Sequence, residues 1–315
     1  MSSDLSTPTT NSEEIKAIPV RHPWRWVFVA ILIVLFAQLI HLLIVTQAHR
    51  RANHQPNLDW SVVWQYMFDP SVLHGLLWTI ALTIIAMFMG VSIGLVLAVM
   101  RMSTNPVLRS VAWLYIWFFR GTPVYVQLTV WFAVPAILDS LSLGVPFWYS
   151  ILHTDPARVI TQLVAACLGL GLNEAAYMSE IVRAGLISVD EGQMEAASAL
   201  GLSRGKTMRR IVIPQAMRVI VPPTGNETIS MLKTTSLVAA VGFADLFYVI
   251  QTIANRTYQV MSLLVVACLW YLIMTSILMS CQYYIERYYA KGSLRQLPPT
   301  PIQKLRSLIG IGGTA

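Results

Sequence analysis

Apolar residues run through this chain in long unbroken blocks rather than in short alternations. Val27–Val45 gives 19 positions without a charge, Val72–Met100 gives 29, and Thr257–Ile285 another 29. Three further blocks are apolar but interrupted. Arg109 to Asp139 encloses Arg120, Val159–Asn173 continues helically past Glu174 and Glu180, and Thr224–Ile253 contains Glu227, Lys233 and Asp245. A spanning helix needs ~20 apolar residues, whereas a membrane barrel needs segments of about 10 alternating ones. Continuous blocks therefore predict helices. At ~1.5 Å per residue the longest blocks exceed the ~30 Å hydrocarbon core, so they tilt or protrude. The expected fold is all-α: a polytopic helical membrane protein with about six transmembrane helices.

Composition agrees. Charged residues make up 12% of the 315 positions and hydrophobic ones 56%, with a mean hydropathy of +0.60. Soluble domains carry about 25% charge, and disordered chains are polar and highly charged, so both classes are excluded. The net charge of +7 is not a nucleic-acid footprint, because no basic cluster is interleaved with stacking aromatics in a polar domain. It reports orientation instead. With the N-terminus inside, 16 of the 22 Lys and Arg fall on the inner side, among them Arg101, Arg109, Arg204, Lys206, Arg209, Arg210, Arg218 and Arg287. The positive-inside rule thus favours N-in and C-in. The expected segments are a cytoplasmic tail at 1–26, an N-terminal transmembrane helix at 27–46, an external loop at 47–71, a main transmembrane domain at 72–290 with an inner loop at about 187–223, and a cytoplasmic tail at 291–315. The first helix is read as a retained anchor, because its leader and its apolar run are both long for a signal peptide. Cys167, Cys268 and Cys281 follow no metal spacing and are read as small buried packing residues. The six histidines, His22, His41, His49, His54, His74 and His153, are scattered, and no metal site is expected.

The inner loop is the most polar stretch of the second half. Asp190 or Ser188 can cap a helix, Ala196, Ala197, Ala199 and Leu200 propagate it, and Gly201 or Gly205 can end it. Pro214 is read as a break and Pro222-Pro223 as the entry to the next span, where a broken helix can line a pathway. Glu195-Ala196-Ala197, three residues, Gly201, nine residues, Ile211, one residue, Ile213 and Pro214 resemble the EAA loop of the membrane subunits of bacterial ATP-binding-cassette importers. Ile213 stands where Leu is usual. Phe119-Arg120-Gly121-Thr122-Pro123 with Val126-Gln127-Leu128, Ala176 to Arg183, Gly192-Gln193, Gly225-Asn226-Glu227 and Leu232 to Leu237 are similar to the polar amino-acid uptake subfamily.

That resemblance covers roughly Val72–Tyr289. It implies a permease with a five-helix type I importer core, here with one N-terminal helix added. It also implies two ATP-binding-cassette ATPase subunits, a second permease copy or a sister permease, an extracytoplasmic solute-binding protein and a place in the bacterial inner membrane. Glu195, Ala196, Ala197, Gly201, Leu202, Ile211 and Pro214 then couple the chain to the ATPase. The small residues allow close backbone approach, and Glu195 bonds a partner group or Arg204. No cofactor is bound directly, and ATP and Mg belong to the partner ATPase. The run Gly201-Leu202-Ser203-Arg204-Gly205-Lys206-Thr207 imitates a phosphate loop but has one residue too few between its glycines, and no strand precedes it. No nucleophile, metal or cofactor pattern suggests an enzyme.

Charges at membrane depth are costly and face a cavity or a partner. Arg120 can hold a substrate carboxylate bidentately or pair internally with a Glu. Asn173, Tyr177 and Glu180 share one helical face, with Glu174 about 100° round from Asn173. Glu180 can pair with Arg183 at i+3. Asn226 and Glu227 either line the pathway or satisfy backbone at the proline break. Lys233 either snorkels or pairs. Gly90 and Gly94 form a GxxxG packing face. Trp113, Tyr115, Trp117, Phe118 and Phe119 read as core or interfacial belt. The rival class is an ion-gradient-driven secondary amino-acid transporter, which requires repeated broken helices; no clear repeat is present.

Overall fold

The computed structural model describes residues 23–52, 58–138, 140–145 and 149–289. Most of the 1–26 tail, the whole 291–315 tail and their residues Lys16, Arg21, His22, Lys291, Arg295, Lys304 and Arg306 lie outside the described residues, as does His54. So do the side chains of Arg25, His49, Arg50, Arg51 and His153.

The chain divides into two units, 1–58 and 59–315. The first holds α1 (Pro23–Ala52), a single helix of 30 residues, about 45 Å long, whose apolar stretch is Trp26–Leu42.

The second unit opens with α2 (Trp60–Met67) and α3 (Pro70–Met102). Asp59 and Asp69 cap them, each accepting the amide two residues on, and Pro70 sits in the first turn where its missing N–H costs nothing. Asn105 and Pro106 start α4 (Pro106–Gly121) in the same way. The third apolar block was expected as one stretch but divides at Thr122-Pro123 into α4 and α5 (Val124–Ile137). The residue before a proline is pushed out of the helical region, and Thr122 is extended at φ −113°, ψ 143°.

An antiparallel hairpin follows, β1 (Leu141–Val145) with β2 (Tyr149–Thr154), Leu141 opposite Thr154. It is a small addition to an otherwise helical fold. Its signal is local, since Leu141, Leu143 and Val145 alternate with Ser142 and Gly144 at period two. After the single turn α6 (Pro156–Val159) comes α7 (Gln162–Ile187), then the loop helices α8 (Glu191–Ala199) and α9 (Arg204–Thr207). A π turn, Met208–Val212, leads into α10 (Ile213–Thr234). A 3₁₀ segment at Thr235–Val241, α11 (Leu246–Thr257) and α12 (Val260–Tyr289) complete the described chain.

Among the described residues, α3 and α12 are each long and apolar enough to cross a membrane, and Arg204–Val241 with α11, bent by 49°, is a third candidate. The centre of the second unit is the α3–α7 seam. A Cβ on Gly90 would stand 2.4 Å from Glu174 Cγ, and one on Gly94 2.7 Å from Met178 Cβ. The GxxxG face therefore does what its spacing predicts. Leu82, Ala86, Leu128, Leu170, Met178 and Val238 fill the core beside it.

Three expectations are corrected. Pro222 and Pro223 do not break the chain, because both lie inside an uninterrupted α10. Their fixed φ is helical, α7 and α12 pack along the helix, and Gln282 Nε2 donates to the Pro222 carbonyl at 3.2 Å. Pro214 is likewise no break. It sits in the first turn of α10, and the π turn before it absorbs the irregularity. The real break lies further on, where Gly242 takes φ +74° and Asp245 caps α11 through the Tyr248 amide. The cysteines are not all buried: Cys167 is half-buried, and Cys268 and Cys281 on α12 are exposed.

Candidate functional site

Two sites matter, a cavity beside α7 and the surface of the inner loop. The cavity begins with the turn between α4 and α5. Buried Gln127 donates Nε2 to the carbonyls of Phe119 (3.0 Å) and Thr122 (3.1 Å) and to Thr122 Oγ1 (2.7 Å). Asn173 Nδ2 donates to the same Phe119 carbonyl at 2.8 Å, and Tyr115 donates its hydroxyl to the Leu172 carbonyl at 2.9 Å. The turn carrying Arg120 is thus tied to α7 by side chains from both elements.

Arg120 ends α4 with its guanidinium carbon 5.1 Å from the centroid of the Tyr177 ring, a cation–π contact. Among the described residues it makes no ion pair. The internal Arg–Glu pair weighed for it does not form among the described residues, which leaves its fork available there to a carboxylate. Arg101, Trp113, Trp117, Arg120, Tyr177 and Glu180 line a cavity of about 500 Å³. Trp113 and Trp117, one turn apart, stack at 6.2 Å and form an apolar wall. Glu180 bonds Arg183 at 2.6 Å, the i+3 pair expected from the sequence. A planar cation, π faces and a carboxylate in one cavity can hold both charged ends of an amino acid and a hydrocarbon stem between them.

Glu174 does not line this cavity. It is 3% exposed, wedged on the Gly90 side of α7, with Oε1 lacking a hydrogen-bond partner among the described residues. Glu227 on α10 is half-buried. Arg120 and Tyr177 are therefore brought together by contact, and Asn173 holds the neighbouring Phe119 carbonyl. Asn226 stands apart, accepting Gln282 Nε2 from α12 at 3.1 Å. Lys233 is exposed in the last turn of α10. Sequence reasoning reads Trp113 and Trp117 as core or interfacial belt and Arg101 as a mark of orientation. Their shared cavity depends on how α3, α4 and α7 meet, which no local pattern records.

In the loop, Asp190 caps α8 by accepting the Gly192 amide at 2.7 Å. Gly201, at φ +71°, ends it, with its own N–H on the Ser198 carbonyl and that of Leu202 on the Ala197 carbonyl. Glu195 and Ala196 are exposed, whereas Ala197 is 1% exposed and packs inward. The smallness of Ala197 thus serves the loop's own packing. Leu202 and Ile211 are half-buried and Pro214 is exposed. Met194 and Leu200 (80% exposed) on the loop, and Met208 in the π turn, stand out as exposed large apolar groups. Glu195 makes no ion pair with Arg204.

Residues 90–291 match a family described as the binding-protein-dependent transport system inner membrane component. The chain belongs to this family. It is a permease subunit, a membrane transport component and not an ATPase. This permease is 45% identical over 304 residues to an arginine transport system permease protein of Corynebacterium glutamicum, covering 96% of this chain and 92% of that protein. It is 35% identical over 239 residues to a probable amino-acid ABC transporter permease protein of Bacillus subtilis, covering 73% of this chain and 97% of that one. Among solved structures, the crystal structure of an amino acid ABC transporter with histidines aligns at a TM-score of 0.61 and 34% identity, over 73% of this permease and 99% of that chain. The helical permease fold expected from the sequence is therefore established.

Proposed function

We propose that this permease forms the translocation pathway of an ATP-driven importer for a polar amino acid, with Arg120 taking the substrate carboxylate. The observation that carries the reading is Arg120 itself, held over Tyr177 in a cavity of about 500 Å³ and free of any ion pair among the described residues. The relatives named for arginine and amino-acid transport support the solute class. Glu180, the carboxylate on the cavity wall, favours a substrate with a cationic group.

The topology proposed is N-in and C-in in the bacterial inner membrane, with tails at 1–26 and 291–315 and an extra helix at 27–46. The loop at 47–71 is external, the permease domain is 72–290, and its coupling loop at about 187–223 is cytoplasmic. Two ATPase subunits, carrying ATP and Mg, dock on the loops of two permeases through Glu195, Ala196 and Gly201, with Leu202, Ile211 and Pro214 holding the loop in shape. A solute-binding protein delivers substrate outside. ATP binding closes the ATPases and rocks the helices between inward- and outward-open states, so transport is alternating access. Asn173 positions the Arg120 turn, and Asn226 couples α10 to α12.

The deciding experiment reconstitutes the permease with its ATPase and binding protein and measures uptake across a panel of acidic, basic and neutral amino acids. ATP-dependent uptake that Arg120→Ala slows at least tenfold supports the reading. Uptake indifferent to ATP and abolished by an ionophore assigns the chain to secondary transport instead.

A further inference from the structure

A second cavity, about 680 Å³, lies apart from the Arg120 site and has a different chemistry. Its walls are α3 and α12 and its floor is α7 and α10; Leu95, Val182, Ile220, Val221 and Leu278 are typical of its lining. The few polar side chains in it are already satisfied. Thr224 donates its hydroxyl to the Ile220 carbonyl at 2.8 Å and Thr228 to the Thr224 carbonyl at 2.9 Å. Gln282 spends its amide on Pro222, Asn226 and Glu286. The groove thus offers hydrocarbon and no spare donor from these groups. A zwitterionic solute would lose its hydration there without compensation.

The groove has direction. Its lining on α10 runs from Ile213 to Ile229, about 24 Å of helix, more than half the ~30 Å hydrocarbon thickness. At the Ile213 end it begins in the π turn with Met208, where Arg209 and Arg210 are exposed, and Arg218 is exposed next to the lining residue Met217. Glu286, the acid near the α12 wall, is held by Gln282 at 2.6 Å. Exposed cationic residues that directly follow the lining residues Met208 and Met217 of an apolar groove match one kind of molecule, a chain of hydrocarbon with an anionic head.

We propose that this groove seats one acyl chain of an anionic phospholipid of the inner leaflet, with its headgroup against Arg209, Arg210 and Arg218. The placement in the inner leaflet rests on the cytoplasmic assignment of the coupling loop. A seated lipid would brace α10 between α7 and α12 just where the coupling loop joins it, so lipid composition would tune coupling.

The test uses the full transporter complex, purified and exchanged into vesicles of phosphatidylglycerol with phosphatidylcholine, then analysed by native mass spectrometry. Leu95→Trp fills the groove from its exposed wall, and the double change Arg209→Gln with Arg210→Gln removes headgroup charge. The expected result is about one phosphatidylglycerol retained per permease, reduced at least fivefold by either change, with phosphatidylcholine retention unaltered by the arginine change. Cys281 lines the same groove and gives a second reading. Its alkylation by a membrane-permeant maleimide should slow at least threefold when phosphatidylglycerol is restored to delipidated complex. Equal retention of both lipids in all variants would overturn the proposal. So would protection of Cys281 in the delipidated complex, which would mean a helix of this chain or of a second copy covers the groove. Labelling of Glu195→Cys by an impermeant maleimide from one side only locates the loop independently, and uptake tests the importer reading separately.

Discussion

Gly90 and Glu174 meet so closely that a single methyl group on the glycine would lie 2.4 Å from Glu174 Cγ and 2.8 Å from its Cβ. The buried carboxylate is accommodated because α3 has no side chain there. Gly90→Ala should therefore destabilise the permease by about 1–3 kcal/mol, the usual penalty for overpacking a core. Adding Glu174→Ala removes the nearer atom but leaves the Cβ contact, so rescue should be partial, with a coupling of about 0.5–3 kcal/mol. Thermal unfolding of the purified complex for both single variants and the double variant measures this. Strictly additive losses would show that the two residues do not share the seam.

The Arg120–Tyr177 contact makes a different prediction, about function rather than stability. Arg120→Lys keeps the charge but loses the planar fork, so it should raise the KM for uptake at least tenfold while leaving expression and assembly normal. Tyr177→Phe should be near wild type, because the ring face is retained. Tyr177→Leu should weaken substrate binding by about 0.5–2 kcal/mol through loss of the cation–π support. Initial uptake rates over a range of substrate concentrations separate the three. An unchanged KM in Arg120→Lys would remove Arg120 from the substrate site.

Much of this architecture was legible because membrane helices and caps are written locally. Long apolar blocks, Asp190 and Gly201 around α8, the Gly90–Gly94 face and the Glu180–Arg183 pair each follow from spacing within one element. What the sequence did not show depends on neighbours brought together by folding. Pro222 and Pro223 look like a break until α7 and α12 are packed beside them. Trp113 and Arg101 look like ordinary core or belt and inner-side charge until α3, α4 and α7 enclose a common space. Glu174 is ambiguous by helical wheel, since 100° from Asn173 serves a lumen or a seam equally. The glycine opposite it decides for the seam.

Glu195 is exposed and has no ion pair in the loop, so its substitution should leave the fold intact. Glu195→Lys is expected to change the melting temperature by less than about 2 °C, in keeping with surface substitutions that stay within ±0.5 kcal/mol. It should nevertheless cut ATP-coupled uptake and ATPase co-purification at least tenfold. Gly201→Ala differs. At φ +71° a Cβ is strained by about 1–2 kcal/mol, although no atom lies within 4 Å, so the loop helix should lose its stop without a clash. Hydrogen exchange of residues 191–202, compared with uptake, distinguishes the two variants. Full coupling in Glu195→Lys would sink the docking assignment.

The last prediction concerns pH at the other end of the molecule. Asp69 caps α3 by accepting the Ser71 amide at 2.8 Å and the Ser71 hydroxyl. The bond from the Ser71 hydroxyl holds its carboxyl below the ordinary value of about 3.8; burial opposes it, and the weaker bonds from the Ser71 and Val72 amides add to the lowering. A depressed folded value means that the ionised cap stabilises the folded state above the unfolded value and that this contribution disappears as pH falls through the folded one. Wild type should therefore lose part of its thermal stability below about pH 4, and Asp69→Asn, which caps without ionising, should lose less over the same interval. Asp69→Ala should cost about 0.5–2 kcal/mol at neutral pH, and this deficit relative to wild type should shrink as the acid range is entered. Melting curves of the three proteins between pH 3 and pH 7 check the sign directly. A deficit for Asp69→Ala that stays constant down to pH 3 would show that the carboxylate charge adds nothing to the cap.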